Sequence, residues 1–267
     1  MHRALFVLTP SEGKRLIAKG VKEMPEVQEA LHSGKLIIAG GTTNAFIAEE
    51  LTGIKIEPDR YTAGIITKGR LCVTPSKERI SPVVIIKGEV VEASWEDVIE
   101  DFGRGDVFVK GANAIDASGM AGVFVASPTA GTIGRVLGTL YARGAHLIIP
   151  ACLEKMVPSV QDALGKAGTL VFQHSLGVPV GIVPIVGGKI VTEITALETL
   201  SQVDAVALGA GGVGGSEGST TIAVSGREKE VSRIFDMIKE IKGEPPVQGI
   251  KRRCADCRSS CSYKRND

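Results

Sequence analysis

The sequence predicts an α/β protein, and three observations support this fold class. Short apolar runs alternate with stretches of helical periodicity through most of the chain. Glycine makes up 33 of the 267 residues, which is typical of a chain with many tight turns between its elements. The hydrophobic share of 43% is too high for global disorder and is sufficient for a sizeable core without disulfides.

The first elements are predicted to be helical, followed by a strand, a glycine turn and another helix. Apolar residues recur at helical spacing over Ser11–Leu31, and Gly20 and Pro25 divide this stretch into one broken helix or two short ones. The run Lys35–Ala39 is predicted to be a buried strand. After a Gly-Gly-Thr-Thr turn, the helical pattern resumes over Ala45–Leu51, so this region opens a βα unit.

The middle of the chain combines hairpins with further βα units. Within Thr62–Ala93, β-rich runs lie between glycine, proline and charged breaks, which favours a small antiparallel excursion. Strands and helices then alternate again. The predicted strands are at 106–110, 122–126, 146–150 and 169–173, and the predicted helices are at 132–143 and 157–165.

The last third has the order β-α-β-β-α, which is typical of a small ferredoxin-like domain. Its strands are predicted at 178–186, 189–194, 205–208 and 220–225, and its helices at 195–201 and 228–241. Gly209–Gly218 contains six glycines and is predicted to be a hairpin loop or lid. We therefore expect a three-layer Rossmann-like core over residues 1–178, a ferredoxin-like α+β domain over 179–245 and a basic cysteine-bearing tail over 246–267.

Charge and composition exclude several classes of function. The chain has 31 basic and 30 acidic residues, a net charge of +1, which argues against a nucleic-acid binder. The apolar run Ala4–Leu8 is too short for the core of a signal peptide, and no stretch reaches the roughly 18 apolar residues of a membrane span. We therefore expect a cytoplasmic protein with no membrane partner.

The loop after the first predicted strand is a candidate anion site. Glycine lets the backbone approach a ligand, and the free N–H groups and dipole of a helix start favour negative charge. The alternative is an ordinary turn with a threonine N-cap, and the spacing favours neither. A P-loop is excluded because no lysine follows at the Walker position. The candidate ligand-binding residues are Gly40, Gly41, Thr42, Thr43 and Asn44.

Two further loops follow predicted strands, and we expect them at the same edge of the sheet. In the first, Lys110 can pair with an anion, and Asn113 and Asp116 can bond hydroxyl groups; the alternative is that the last two form a turn. These three are the candidate catalytic residues. The small residues of the second loop let its backbone form the floor of a cleft. The remaining candidate ligand-binding residues are Gly111, Ser127, Thr129, Gly131 and Thr132.

Three cysteines in the tail, Cys254, Cys257 and Cys261, have the spacing C-x2-C-x3-C. Soft thiolate ligands at this spacing favour zinc or an iron–sulfur cluster, with Cys72 or Cys152 as a candidate fourth ligand. The alternative is a tail with free thiols and no cofactor. Because nothing in the sequence places either body cysteine near the tail, we expect any fourth ligand to come from water or another subunit. We also expect the tail to be dispensable for the fold.

Other chemistry-bearing residues give weaker signals. The four histidines lack the H-x-x-H and H-E-x-x-H spacings of metal sites. Glu193 precedes a predicted helix and is expected to be a surface carboxylate.

Taken in order, four segments resemble ribose-5-phosphate isomerase and, more widely, the superfamily that includes sugar-phosphate deaminases and CoA transferases. The resemblance covers most of residues 11–242 and fails across Glu57–Trp95 and in the tail. The matching segments are Leu36–Leu51, similar to a strand–GTGST–helix opening; Asp106–Asp116, similar to a DGADEVD loop; Gly122–Lys155, similar to the strand, glycine loop, helix and strand that follow; and Pro179–Pro184, similar to the entry into the small domain.

The resemblance implies a homo-oligomer that binds a small phosphorylated or anionic metabolite, with isomerase- or transferase-like chemistry. Its phosphate loop falls on Ala39–Thr43. Its acidic positions fall on Lys110, Asn113 and Asp116, of which only the last is a carboxylate. Enediol chemistry needs a carboxylate base near the substrate C–H group, so we expect the anion site without ribose-5-phosphate isomerisation. A non-catalytic metabolite sensor, and a metal or redox protein acting through the tail, are the alternatives.

Overall fold

The structure is a computed structural model that describes residues 1–257 and 259–263, and its fold is mixed α/β. The helices are α1 (Pro10–Lys22), α2 (Pro25–Ser33), α3 (Thr42–Thr52), α4 (Trp95–Glu100), α5 (Gly131–Arg143), α6 (Val160–Leu164), α7 (Glu193–Leu200) and α8 (Glu228–Ile241). The strands are β1 (His2–Leu8), β2 (Lys35–Ile38), β3 (Gly64–Thr67), β4 (Arg70–Val73), β5 (Val83–Ile86), β6 (Glu89–Val91), β7 (Val107–Val109), β8 (Ala114–Ile115), β9 (Ala121–Val125), β10 (His146–Pro150), β11 (Gly181–Ile185), β12 (Lys189–Val191), β13 (Val203–Gly211) and β14 (Ser219–Gly226). Within this part of the chain, no helix combines the length and the apolar character needed to cross a bilayer.

A six-stranded sheet in the order β12-β10-β7-β2-β5-β6 forms the centre of the molecule. Strands β12, β10, β7 and β2 are parallel, and β5 and β6 are antiparallel to their neighbours. The register places Ile37 beside Phe108, which in turn lies beside Leu147. Because parallel strands end at the same edge, the loops that follow β2, β7 and β10 meet there.

Both faces of this sheet are covered. Leu36 and Ile38 belong to a core that includes residues of α1, α2, α3, α7 and α8. Ile37 and Ala39 point to a second core, shared with residues of α4, α5, β8 and β9. Successive side chains of a strand alternate between faces, so a strand buried on both sides is apolar throughout, as the run from Leu36 to Ala39 is.

The N-terminal helix has strong local signals. Thr9 caps α1, and its side chain and that of Glu12 form a reciprocal capping box, with Pro10 at the first helical position. The preceding strand β1 pairs antiparallel with β14. In the sequence, Ala4–Leu8 is only a short apolar run, and the strand β1 is not predicted from it.

The excursion predicted over Thr62–Ala93 forms two hairpins. Strands β3 and β4 pair only with each other, whereas β5 of the second hairpin pairs with β2 and extends the central sheet. Each hairpin turns through a Lys-Gly pair with positive φ at both residues, 51° and 68° at Lys68-Gly69 and 50° and 82° at Lys87-Gly88. Positive φ at both central residues defines the two-residue turn that matches strand twist.

The C-terminal third corrects two expectations. Its strands belong to three sheets, since β11 pairs with β9, β12 with β10, and β13 and β14 form a sheet with β1. The ferredoxin-like arrangement does not form, because β1 supplies the third strand of that sheet from the other end of the chain. The predicted strand Thr169–Gln173 consists of turns and irregular backbone, and its Leu170 is 96% exposed. Its apolar residues therefore do not join the core.

Candidate functional site

A cleft of about 1220 Å³ lies where the parallel strands β2, β7 and β10 end. Its walls also include the loop between β9 and α5 and one side of the β3–β4 hairpin. Ligand pockets usually have volumes of about 300–1,000 Å³, so this space can hold a sugar phosphate or a larger anion. The sequence-predicted residues that line it are Gly40, Gly41, Thr42, Thr43, Lys110, Gly111, Asn113, Ser127, Thr129, Gly131 and Thr132.

Asp116, a predicted catalytic residue, does not line the cleft. One carboxylate oxygen accepts hydrogen bonds from the hydroxyl and N–H of Ser118, at 2.5 and 3.0 Å, and from the Met120 N–H at 3.2 Å. The other accepts the Val160 N–H at 2.8 Å. These bonds, first of all that from the Ser118 hydroxyl, hold the pKa of Asp116 below its usual value. Asp116 therefore closes a turn and fastens the start of α6.

Asn44, a predicted ligand-binding residue, lies behind the cleft wall. Its side-chain N–H₂ group donates to the Ala39 carbonyl at 2.6 Å and to the Val109 carbonyl at 3.3 Å, which ties the end of β2 to the end of β7. Its Oδ1 atom is buried and has no hydrogen-bond partner among the described residues. A Cβ placed at Gly111 would lie 3.6 Å from that oxygen, so glycine keeps the space beside it open.

The turn after β2 leaves the start of α3 uncapped by any side chain. The N-cap residue is Gly41, whose N–H donates to the Tyr61 carbonyl at 2.6 Å, so the threonine N-cap considered as an alternative is wrong. Thr43 is only 2% exposed, and its hydroxyl, at the cleft wall, has no partner among the described residues. Free helix N–H groups and a spare hydroxyl are the groups that bind an oxyanion.

The loop between β9 and α5 presents a second helix start to the cleft. Ala130 is the N-cap, with φ of 57°, and no side chain caps the helix. The Thr129 N–H donates to the Ser127 hydroxyl at 3.3 Å. A Cβ at Gly134 would lie 2.5 Å from the Thr129 carbonyl oxygen, so the tight approach of this turn requires glycine there.

Two lysines that form no ion pair with another described residue contribute positive charge to the cleft. The ammonium group of Lys110, directly after β7, donates to the Gly111 carbonyl at 3.3 Å. That of Lys155, in the short turn after β10, donates to the Ala112 carbonyl at 2.7 Å. Burial, and secondly the charge of Lys155, lower the pKa of Lys110 to about 8, and burial also lowers the pKa of Lys155. Within the described residues, neither ammonium forms an ion pair with a carboxylate.

A group of buried ionisable residues lies beside these lysines. Lys14 of α1 donates to Glu154 at 3.1 Å and to a backbone carbonyl at 3.2 Å. Glu193, expected at the surface, is 2% exposed and accepts the Leu153 N–H at 2.9 Å; burial raises its pKa. Burial and the nearby carboxylate of Glu193 raise the pKa of the Cys152 thiol, so this cysteine stays protonated.

Sequence reasoning missed Lys14, Glu154 and Lys155 as cleft residues. A usable signal existed for the last two, because they follow the predicted strand over 146–150 and so stand at the same sheet edge as Lys110. Lys14 carries no such signal, since it lies on a helix that precedes every parallel strand.

The tail also lies closer to the body than expected. The Arg252 N–H donates to the Val73 carbonyl at 2.8 Å, and Val247–Gly249 line part of the cleft. The structure therefore brings the tail beside the strand that carries Cys72, a proximity that nothing in the sequence indicates.

Comparison with known proteins adds no relative. No family model, no curated protein and no solved structure matches this chain. The functional conclusion therefore rests on the chemistry of the cleft residues.

Proposed function

We propose that the cleft binds a small phosphorylated or otherwise anionic metabolite. The observation that carries this proposal is the pair of half-buried ammonium groups, Lys110 and Lys155, which form no ion pair with a carboxylate among the described residues. They share the cleft with the uncapped start of α3 and the unpartnered hydroxyl of Thr43. An oxyanion is the kind of ligand that each of these groups can bind.

The charge balance inside the cleft supports the same conclusion. Lys14 has its counter-ion in Glu154, and burial of an ammonium is ordinarily compensated in this way. The charge of Lys155 instead lowers the proton affinity of Lys110. An anionic ligand removes this repulsion and therefore gains binding free energy from both lysines.

We also infer that the chain is a divergent relative of the ribose-5-phosphate isomerase, sugar-phosphate deaminase and CoA-transferase-like superfamily, with a Rossmann-like three-layer core. What supports this is that β2, β7 and β10 are successive neighbours in one sheet and carry the loops that resemble that superfamily. A homo-oligomer is part of this proposal. The outward face of the β1–β14–β13 sheet, with Leu5, Val7, Val206 and Leu208 exposed, is a candidate contact.

An enzymatic role is favoured over a purely sensory one by Lys110. A lysine with a pKa of about 8 is partly a neutral amine at mildly alkaline pH. A neutral amine can accept a proton or attack a carbonyl carbon, and lysines of this kind act as general bases or nucleophiles. We propose Lys110 as the reactive group and Lys155 as the residue that holds the ligand's anionic end.

The proposal is tested by thermal melts with sugar phosphates, nucleotides and CoA esters at millimolar concentration. A ligand at ten times its Kd stabilises the native state by about 1.4 kcal/mol, which raises Tm by about 3 °C in a chain of this size. The shift should vanish in the double variant Lys110→Met, Lys155→Met. It should persist in the control Lys229→Met, which removes one exposed charge from α8. Flat melts with every compound, or equal shifts in all three proteins, would contradict the proposal.

The proposed catalytic role of Lys110 is tested separately, by turnover and by covalent trapping. We expect ribose 5-phosphate to be turned over negligibly, because the carboxylate positions of the resembling isomerase are Lys110 and Asn113. Turnover at an ordinary rate of about 10 s⁻¹ would show that another residue supplies the base. A carbonyl ligand found in the melts would condense with the Lys110 amine with loss of water, and borohydride would reduce the resulting imine. The peptide with Lys110 should therefore gain the ligand's mass less one oxygen; attachment elsewhere would reassign the nucleophile.

A further inference from the structure

Both ends of the C-terminal segment that carries Cys254, Cys257 and Cys261 are fastened to the strand that carries Cys72. At the first end, the Arg252 N–H donates to the carbonyl of Val73, the residue that follows Cys72 in β4. This bond brings the chain alongside β4 only two residues before Cys254.

At the other end, Cys261 is held by a residue that itself pairs with β4. The Gly177 N–H donates to Cys261 Sγ at 3.2 Å. Gly177 itself forms a parallel bridge with Leu71, the residue before Cys72, and the Val178 N–H donates to the Leu71 carbonyl at 2.8 Å. A Cβ at Gly177 would lie 2.6 Å from that carbonyl oxygen, so only glycine permits this approach.

Two further contacts hold the end of the segment in place. Ser262 and Ser175 exchange hydrogen bonds, with the Ser262 N–H donating to the Ser175 carbonyl at 2.7 Å. The guanidinium of Arg70 lies 3.5 Å from the ring centre of Tyr263. Cys261, Ser262 and Tyr263 are thus each held by a contact with another part of the protein.

Between the two anchors, the described part of the chain includes one short turn. Cys254–Asp256 form a 3₁₀ turn, closed by the Cys257 N–H donating to the Cys254 carbonyl at 3.1 Å. The sulfur of Cys261 accepts a second N–H, from Tyr263 at 3.5 Å. N–H groups directed at sulfur stabilise a thiolate, the form of cysteine that binds metal.

The electrostatic interactions of Cys72 also indicate that the three tail cysteines lie near it. Cys254, Cys257 and Cys261 each interact electrostatically with the Cys72 thiol. All three tail thiols are therefore within electrostatic reach of Cys72. This matters because sequence spacing alone accounts for only three ligands.

We propose that Cys72, Cys254, Cys257 and Cys261 are the four ligands of one thiolate-bound metal centre that fastens the C-terminal segment to β4. Among residues 1–257 and 259–263, no three potential ligands already stand as a closed metal site. Closure therefore requires the four thiols to turn toward a common centre, at which a Zn–S bond is about 2.3 Å.

Positive charge near the cysteines favours a metal centre with a net negative charge. Four thiols that bind Zn²⁺ release four protons and leave a centre with a net charge of −2. Lys251 Nζ lies 3.9 Å from Cys254 Sγ.

The chemistry is shared by zinc and iron, since tetrahedral sets of four thiolates hold Zn²⁺ and iron–sulfur clusters alike. Cys72 also lines the cleft described above. A structural zinc would fix that wall, whereas an iron–sulfur cluster would place redox chemistry beside the ligand. The fifth cysteine, Cys152, lies buried among Lys14 and Glu193 and is excluded from the set.

The experiment is metal analysis of the full chain purified without oxygen, together with Cys72→Ser, Cys257→Ser and two controls, Cys152→Ala and Ser260→Ala. We expect about one equivalent of zinc, or iron with sulfide and absorption in the visible range, in the wild type and both controls. Either serine substitution should reduce it at least tenfold. Iron or zinc identifies the metal, and both support the site.

Thiol alkylation provides a second readout that does not depend on how well the variants fold. In the wild-type protein, one equivalent of Zn²⁺ should protect four cysteines together from iodoacetamide, as measured by mass spectrometry. Retention of metal by the folded Cys72→Ser variant would remove β4 from the site. Failure of the wild type to bind either metal under reducing conditions, with no protection, would overturn the proposal altogether.

Discussion

The cleft and the contact between β4 and the C-terminal segment are both positively charged, but they are assembled differently. The cleft is formed by the ends of neighbouring parallel strands, so its residues follow those strands directly in the sequence. The second region joins Cys72 to residues about 180 positions later through a few hydrogen bonds. The first is therefore a property of the sheet, and the second is a long-range contact that a bound metal would reinforce.

This difference predicts how each region responds to change. Substitutions at the cleft should alter ligand binding while the sheet stays folded, because the core clusters lie behind the loops. Changes at the second region should alter stability and metal content together. A protein in which cleft substitutions destabilised the fold, or tail substitutions left it untouched, would break the comparison.

The largest expected effect is that of deleting the tail. Truncation after Gly249 removes the contacts of Arg252 and Cys261 with β4 and the Cys72–tail metal bridge. Loss of a structural cross-link of this kind typically costs about 2–5 kcal/mol, which should lower Tm by roughly 5–10 °C. Thermal melts of the metal-loaded full chain and the truncated chain measure this.

The matched control for that truncation is removal of residues after Tyr263, which leaves all four cysteines in place. Equal melting temperatures for the full and the Gly249-truncated chains would restore the expectation, drawn from the sequence, that the tail is dispensable.

Asp116 gives the next largest effect. Its replacement by alanine leaves the N–H groups of Val160, Met120 and Ser118 without their acceptor, so we expect a loss of about 2 kcal/mol of stability. Ligand affinity should stay within about twofold, because the carboxylate lies outside the cleft. Urea unfolding measures the loss of stability, and binding titrations measure the ligand affinity. A large loss of affinity with normal stability would show that Asp116 contacts the ligand after all.

Much of the fold could be predicted from local signals. The apolar run after Lys35 and the periodicity of α8 lead directly to a buried strand and an amphipathic helix, and both form. The cleft loops could be predicted for a topological reason, since any polar residue directly after a parallel strand reaches the same edge. Lys110 and Thr43 were found by that rule.

The remainder depends on pairing between distant segments. Nothing within residues 203–226 indicates that β14 takes β1 as a neighbour, so a self-contained ferredoxin-like domain was predicted instead. The burial of Glu193 follows from its packing against α1, where a Cβ at Gly13 would lie 2.6 Å from its carboxylate oxygen. The partnership of Cys72 with the tail has the same origin, because spacing within the tail says nothing of β4.

The next smaller expected effect is the pH dependence of ligand binding. Lys110 loses its proton at a pKa of about 8, and an anion prefers the charged lysine, so affinity should be nearly constant below pH 7 and fall by up to about fivefold between pH 8 and 9. A sugar phosphate is already a dianion above pH 7, so its own titration does not interfere. Calorimetry in two buffers near pH 8.5 should show net proton uptake on binding.

The control for this pH dependence is Lys110→Arg, which keeps its charge throughout the range. Its affinity should be independent of pH between 8 and 9. A parallel fall in both proteins would assign the titration to a group other than Lys110.

The smallest expected effect concerns stability and also comes from Lys110. Its pKa of about 8 lies below the ordinary value of 10.5, so between these values the unfolded chain binds more protons than the folded one. Stability therefore rises with pH across this window, and the penalty of the buried charge is present in full below pH 8.

Lys110→Met removes that charge and should raise Tm at pH 7 by about 2–4 °C, corresponding to about 1 kcal/mol. The gain should shrink toward pH 10, where the wild-type amine is neutral in the folded protein. Melts of both proteins at pH 7, 8.5 and 10 measure it, with Lys229→Met as the exposed-charge control; a gain that does not change with pH would mean that packing, not charge, is what the substitution altered.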